Sequence, residues 1–201
     1  MGQRNVVVVR FAEPSKAYQA LSVLKQCDAE GRIDLEGAAV VERTAAGGLV
    51  VSEKDDDVDY AGTVGGSVIG MLVGVLGGPV GILLGLGTGA LVGSAVDIDR
   101  AETSEEALTV LGRSIPPGST ALMASVEEPA IEVIDAEMYG LGGEVTRRPV
   151  DEVMVELAAA EEATEAAARE ARRVLREKRK AELHANVEEH VTTIKEKLHA
   201  S

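Results

Sequence analysis

Three histidines, one cysteine and one glycine-rich hexapeptide are the places where this sequence could carry chemistry. His184 and Glu188 stand four residues apart. One helical turn is a spacing that suits two ligands of a metal ion. They share with His190 and His199 a run of Glu, Lys and Ala, and a solvated helix face explains all of them without a metal. Cys27 lies on an expected helix with no His near it in sequence, so it reads as a buried or bystander thiol. Gly85-Leu86-Gly87-Thr88-Gly89-Ala90 follows Ile82-Leu83-Leu84 and has the outline of a dinucleotide loop. A working loop needs a strand before it, a full helix after it and an acid closing a second strand; Asp97 comes too soon for both elements to fit. No nucleophile–base pair and no convergent pair of acids stands out. The chain is therefore not expected to be an enzyme. No catalytic residue, cofactor, metal or small-molecule substrate is assigned.

The composition narrows the partners. The formal net charge is -14, with one Phe and no Trp among 201 residues. Phosphate binding needs a basic face and counterion release, so nucleic acid is not an expected partner. The same excess of acid disfavours electrostatic docking to an anionic lipid surface. A single cysteine permits no internal disulfide, which fits a reducing compartment. The opening Met1-Gly2-Gln3-Arg4-Asn5 leads into no apolar run long enough for a secretory signal. If a membrane is involved, an internal segment must carry the insertion signal.

That segment is residues 60–96, which hold no charged side chain and are nearly a third glycine. Gly62, Gly66, Gly70, Gly74 and Gly78 form one ladder at steps of four. Gly81, Gly85, Gly89 and Gly93 form a second. Gly77, Gly78 and Pro79 separate them as a turn. A step of four keeps a ladder near one stripe of a helix. The pattern predicts two apolar helices folded back on each other, glycine stripe to glycine stripe. Each glycine costs about 1 kcal/mol of helix propensity against Ala, so close backbone packing must compensate. Each arm would be roughly 25 Å long, the short limit for a membrane span of about 30 Å. Neither flank carries the Lys/Arg that usually fix topology, and Asp55-Asp56-Asp57 and Asp97/Asp99 border the insert instead.

Around the insert the chain alternates strands and helices. The Val6–Phe11 run is an expected buried strand. A helix opens at Pro14-Ser15 with Ala17, Leu21, Leu24 and Val23 inward, and Gly31 stops it. A strand over residues 33–44, a turn at Ala45-Ala46-Gly47-Gly48 and a return through Leu49-Val50-Val51 make a hairpin. After the insert, Thr103 or Ser104 is expected to cap a short helix, Glu106 completing a capping box on Thr103. Then come a strand over 119–127, a helix from Pro129, a Gly142-Gly143 turn and a polar edge strand over 144–148. The expected class is α+β: a ferredoxin-like sandwich made of 1–59 and 97–150, the inserted glycine-rich apolar hairpin 60–96, and a long charged helix 151–201. On that helix Val150, Met154 and Leu157 form one apolar face. Leu183, Val187, Val191, Ile194 and Leu198 form another, suited to a coiled-coil seam; a solvated single helix is the alternative.

The Val-rich first strand, Leu35-Glu36-Gly37-Ala38-Ala39-Val40-Val41, the glycine-ladder insert, Ile115-Pro116-Pro117-Gly118-Ser119-Thr120-Ala121-Leu122 and Gly140-Leu141-Gly142-Gly143-Glu144-Val145 together resemble a bacterial family of predicted membrane proteins of unknown function. The resemblance spans about residues 5–150. It implies a ferredoxin-like body interrupted by a hydrophobic hairpin, with no activity, cofactor or catalytic residue to carry over. The expected function is that of a non-enzymatic protein of the bacterial cell membrane, its hairpin inserted and self-associating and its other domains cytoplasmic. The partners would be membrane lipid and further copies of the chain. The alternative is a soluble, cytoplasmic homo-oligomeric scaffold or shell whose hairpins form a hydrophobic core, holding lipid or enclosing a pore.

Overall fold

The computed structural model describes residues 2–52, 68–78, 81 and 106–199, with side chains in the last helix described as far as Arg179. Two compact units divide the chain, residues 1–160 and 161–201.

The first unit is built on a mixed α+β plan. Its elements are β1 (Gln3–Arg10), α1 (Pro14–Ala29), β2 (Asp34–Arg43), β3 (Leu49–Val51), α2 (Val68–Gly77), α3 (Ala107–Arg113), β4 (Thr120–Glu128), α4 (Ile131–Gly140), β5 (Glu144–Pro149) and the opening turns of α5 (Val150–His199). The strands form one sheet in the order β3-β2-β4-β1-β5, antiparallel at every neighbour. β1 lies between β4 and β5, with Val8 opposite Met123 on one side and Thr146 on the other. β4 also pairs with β2, and a bulge between Leu35 and Gly37 shifts the register. β5 is an edge, as its Thr-Arg-Arg sequence suggests.

Both faces of the sheet are covered. Val6 to Val9 are all at or near zero exposure, and alternation in a strand sends them to opposite sides. Val7, Val9, Val40, Leu122 and Ala124 pack under α1 and α4, against Ala17, Leu24, Ile134 and Met138. Val6, Val8, Val41, Ala121 and Met123 pack under α2, α3 and the start of α5. On α1 the inward stripe is Ala17, Ala20, Leu24 and Cys27, with Leu21 and Val23 partly buried beside it. Both helices of the first face end in the same way. Gly31 and Gly142 have φ of 68° and 79°. The amide of Arg32 donates to the Cys27 carbonyl, and that of Gly143 to the Met138 carbonyl, which is the Schellman closure.

The last helix is continuous from Val150 to His199, as its lack of Gly and Pro predicts. Its inward stripe differs from expectation at one place. Val150, Val153 and Leu157 are buried, while Met154 is 38 % exposed. Steps of three and four place 150, 153 and 157 on one stripe and leave 154 at its margin. In the second unit, residues 161–179 are exposed throughout.

Candidate functional site

The insert is the candidate site, and α2 is its described part. All ten residues of α2, Val-Ile-Gly-Met-Leu-Val-Gly-Val-Leu-Gly, are apolar. Ile69, Leu72 and Leu76 are fully buried and Val75 nearly so, in the same cluster as the sheet residues Val8, Val41 and Met123. Burying three such side chains stabilises by about 1.5–3 kcal/mol each. Val68, Met71 and Val73 are partly buried beside them.

The glycines of this helix do different things. Gly74 is exposed, and among the described residues a Cβ built there would meet nothing within 4 Å. Gly77 lies against β3: a Cβ there would stand 2.9 Å from the Leu49 carbonyl oxygen and 3.0 Å from its nitrogen. The end of α2 thus covers backbone on the edge strand, and only a residue without a side chain fits. A Cβ at Gly78 would approach the Gly74 carbonyl oxygen to 2.7 Å, and one at Gly81 the Leu76 carbonyl oxygen to 1.9 Å. Gly70 is partly buried. Gly62, Gly66, Gly85, Gly89, Gly93 and Pro79 lie outside the described residues, as does the hexapeptide at 85–90. The side chains of the expected tail seam, Leu183, Val187, Val191, Ile194 and Leu198, also lie outside them, as do those of His184, His190 and His199. No described helix is long and apolar enough to cross a membrane.

The chain returns from the insert through α3, and the end of that return is clamped. The helix begins at Ala107, with Glu106 at its N-cap and no side-chain cap bond from it. This corrects the capping box expected at Thr103, itself outside the described residues. The cap comes from α5 instead. Glu156 accepts hydrogen bonds from the Ala107 amide at 2.7 Å and the Leu108 amide at 2.8 Å, one on each carboxylate oxygen. A carboxylate there satisfies two orphan donors and meets the positive end of the helix dipole. Local sequence does not mark Glu156 as a cap, because it stands 48 and 49 positions from its partners. At the other end of α3, Arg43 of β2 is buried to zero exposure and donates to the carbonyls of Gly47, at 3.0 Å, and Gly112, at 3.3 Å. Burial lowers the pKa of its guanidinium.

Other polar groups hold the frame. Between the sheet and α4, the buried Glu128 carboxylate accepts from Asn5 at 2.9 Å and from Arg147 at 2.7 Å, and Arg147 reaches Asp135 at 2.7 Å. Glu36 accepts from Arg4 through both oxygens and from the Ser125 hydroxyl at 2.8 Å. The Arg4 hydrogen bond holds the Glu36 carboxyl below its ordinary pKa. Cys27 is buried at the end of α1, where Arg32 donates to its sulfur at 3.4 Å; burial pushes the thiol pKa up despite that cation. Among the described residues no cluster of three His, Cys, Asp or Glu side chains could hold a metal.

The chain has no match among curated proteins or among solved structures. A family model described as "Protein of unknown function (DUF1269)" matches residues 63–164, just over half of the chain. The match takes in α2, α3, β4, α4, β5 and the beginning of α5, so the clamp between Glu156 and α3 lies inside it. The chain belongs to this family of unknown function.

Proposed function

We propose that this is a self-associating assembly protein, built on a ferredoxin-like sandwich and joined to further copies through its glycine-lined insert. The order β5-β1-β4-β2, with α1 and α4 on one face, supports the ferredoxin-like reading; β3 extends it by a hairpin. One observation carries the assembly reading. α2 is apolar all round; it commits Ile69, Leu72 and Leu76 to its own sheet, and no described residue covers the side at Gly74. A helix that is hydrophobic on every side is a buried helix, so the open side calls for a cover. A glycine ladder admits another helix to close backbone contact, which makes a second insert a fitting cover.

Membrane insertion is the second reading, favoured by the uncharged run over 60–96. It requires α2 to leave the sheet. Lipid would repay the burial of Ile69, Leu72 and Leu76, but it would not cover Val8, Val41 and Met123 beneath them. Assembly leaves Ile69, Leu72 and Leu76 on the sheet and covers the Gly74 side of α2 as well, and is preferred.

Sedimentation of the full chain without detergent, with and without Gly74→Leu, tests the proposal. Space beside Gly74 lets the variant fold, so an oligomer that weakens on this change supports the reading. A chain that is monomeric at every concentration, or recovered only with membranes, sinks it.

A further inference from the structure

The second unit carries a charge pattern that complements itself. Residues 161–168 hold three carboxylates and no cation, and residues 169–180 hold seven cations and two carboxylates. The helix is continuous through both and exposed from 161 to 179. Glu161, Glu162 and Glu165 share a face with Arg169, Arg172, Arg173 and Arg176, because they recur at three- and four-residue steps. The four arginines line one shallow groove on that face. Within the helix only weak partners are available. Arg169 stands 3.8 Å from Glu165, and Arg173 pairs with Glu170 at 2.7 Å, both highly exposed. Among the described residues no ion pair joins Arg172 or Arg176 to a carboxylate.

The acids and bases are placed symmetrically about Ala167. Glu165 and Arg169 are two residues from it, Glu162 and Arg172 five, and Glu161 and Arg173 six. We propose that this face docks on the same face of a second copy, antiparallel, with a two-fold axis at Ala167. Each of the three pairs then forms twice, once on either side of the axis, as an isologous contact requires. The axis passes at the level of Ala167, whose side chain points away from this face, and the small side chains of Ala166 and Ala168 flank it on either side. A second copy is the occupant because it supplies the matching carboxylates in register, whereas a polyanion meets a chain of net charge -14. The inference rests on the reading of the chain as self-associating. Contact through the insert raises the effective concentration of the second tail, so exposed pairs of modest strength suffice.

Charge reversal in the full chain tests it. Glu161, Glu162 and Glu165 changed together to Arg, or Arg169, Arg172 and Arg173 changed together to Glu, should each weaken tail pairing about tenfold or more. Mixing the two variants restores every pair and should restore pairing. In a Cys27→Ser background, Glu162→Cys and Arg172→Cys chains should cross-link when mixed, and Glu162→Cys should not cross-link with itself. Self-cross-linking of Glu162→Cys, or no mixed cross-link, with the chain still oligomeric, overturns the antiparallel docking alone. Pairing unchanged by both reversals does the same. A chain monomeric throughout overturns this docking together with the assembly it rests on.

Discussion

The two faces of the sheet are covered in different ways. The first face takes α1 and α4, each the crossover between two strands of the same sheet and each closed by a Schellman glycine. The second face takes α2, α3 and the opening turns of α5, which come from the insert, the chain leaving it, and the chain after the last strand. The first cover is made of local units whose ends are written beside them. The second is gathered from three places, held by apolar contact and by the Glu156 clamp on α3. A sheet whose strands are apolar on both sides needs two covers, and here the two short crossovers α1 and α4 both fall on one face, so the other is covered by the long β3–β4 connection and the last helix.

The largest expected effect asks whether the second cover is core or ornament. Leu72→Ala should destabilise the chain by about 2–5 kcal/mol in chemical denaturation, as Leu24→Ala should on the first face. Little change at Leu72 with a large one at Leu24 would make α2 a loose flap. Next comes Gly77→Ala, expected to cost about 1–3 kcal/mol, because its methyl group would press on the backbone of Leu49. An unchanged denaturation midpoint would mean that the end of α2 does not rest on β3. Glu156→Ala should cost about 1 kcal/mol and speed hydrogen exchange at the Ala107 and Leu108 amides. Protection retained at both would show that another group caps α3. Gly74→Ala should go the other way in the dissociated chain, raising its stability by about 0.5–1 kcal/mol, since it gains helix propensity in open space there. The opposite signs at Gly74 and Gly77, three residues apart, sharpen the distinction between the open and closed sides of α2.

The smallest effect concerns pH. Glu36 has a folded pKa below its unfolded one, so its contribution is present above the unfolded value and fades as pH falls through the folded one. Between neutral pH and about pH 4 the native chain should lose little from this group, with the loss beginning below that. Glu36→Gln should remove that part of the acid limb in a series of denaturation midpoints; an unaltered limb would rule the group out.

Much of the first face was legible. Val6 to Val9 marked a buried strand, Gly31 a helix stop and Gly142-Gly143 a turn, and the structure has each in its place. The same Val run also announced a second cover without saying what supplied it. Residues 60–96 read as a hairpin whose glycine stripes meet each other; the described arm turns Ile69, Leu72 and Leu76 to the sheet, while the partner arm lies outside the described residues. Hydropathy could not choose between lipid, another arm and the sheet, because all three solvate an apolar side chain alike.

By itself the sequence determined the strands, the helices α1 and α4, the stop at Gly31 and the uninterrupted last helix, because propensity, alternation and glycine stops act between near neighbours. Only the tertiary structure decided that Glu156 caps α3, that Arg43 spends its guanidinium on the carbonyls of Gly47 and Gly112, that Val153 rather than Met154 is buried, and that Gly77 is needed where Gly74 is not. Each of those depends on which groups meet across tens of residues of chain, and the energy of such a contact exists only once the sheet has brought its two sides together.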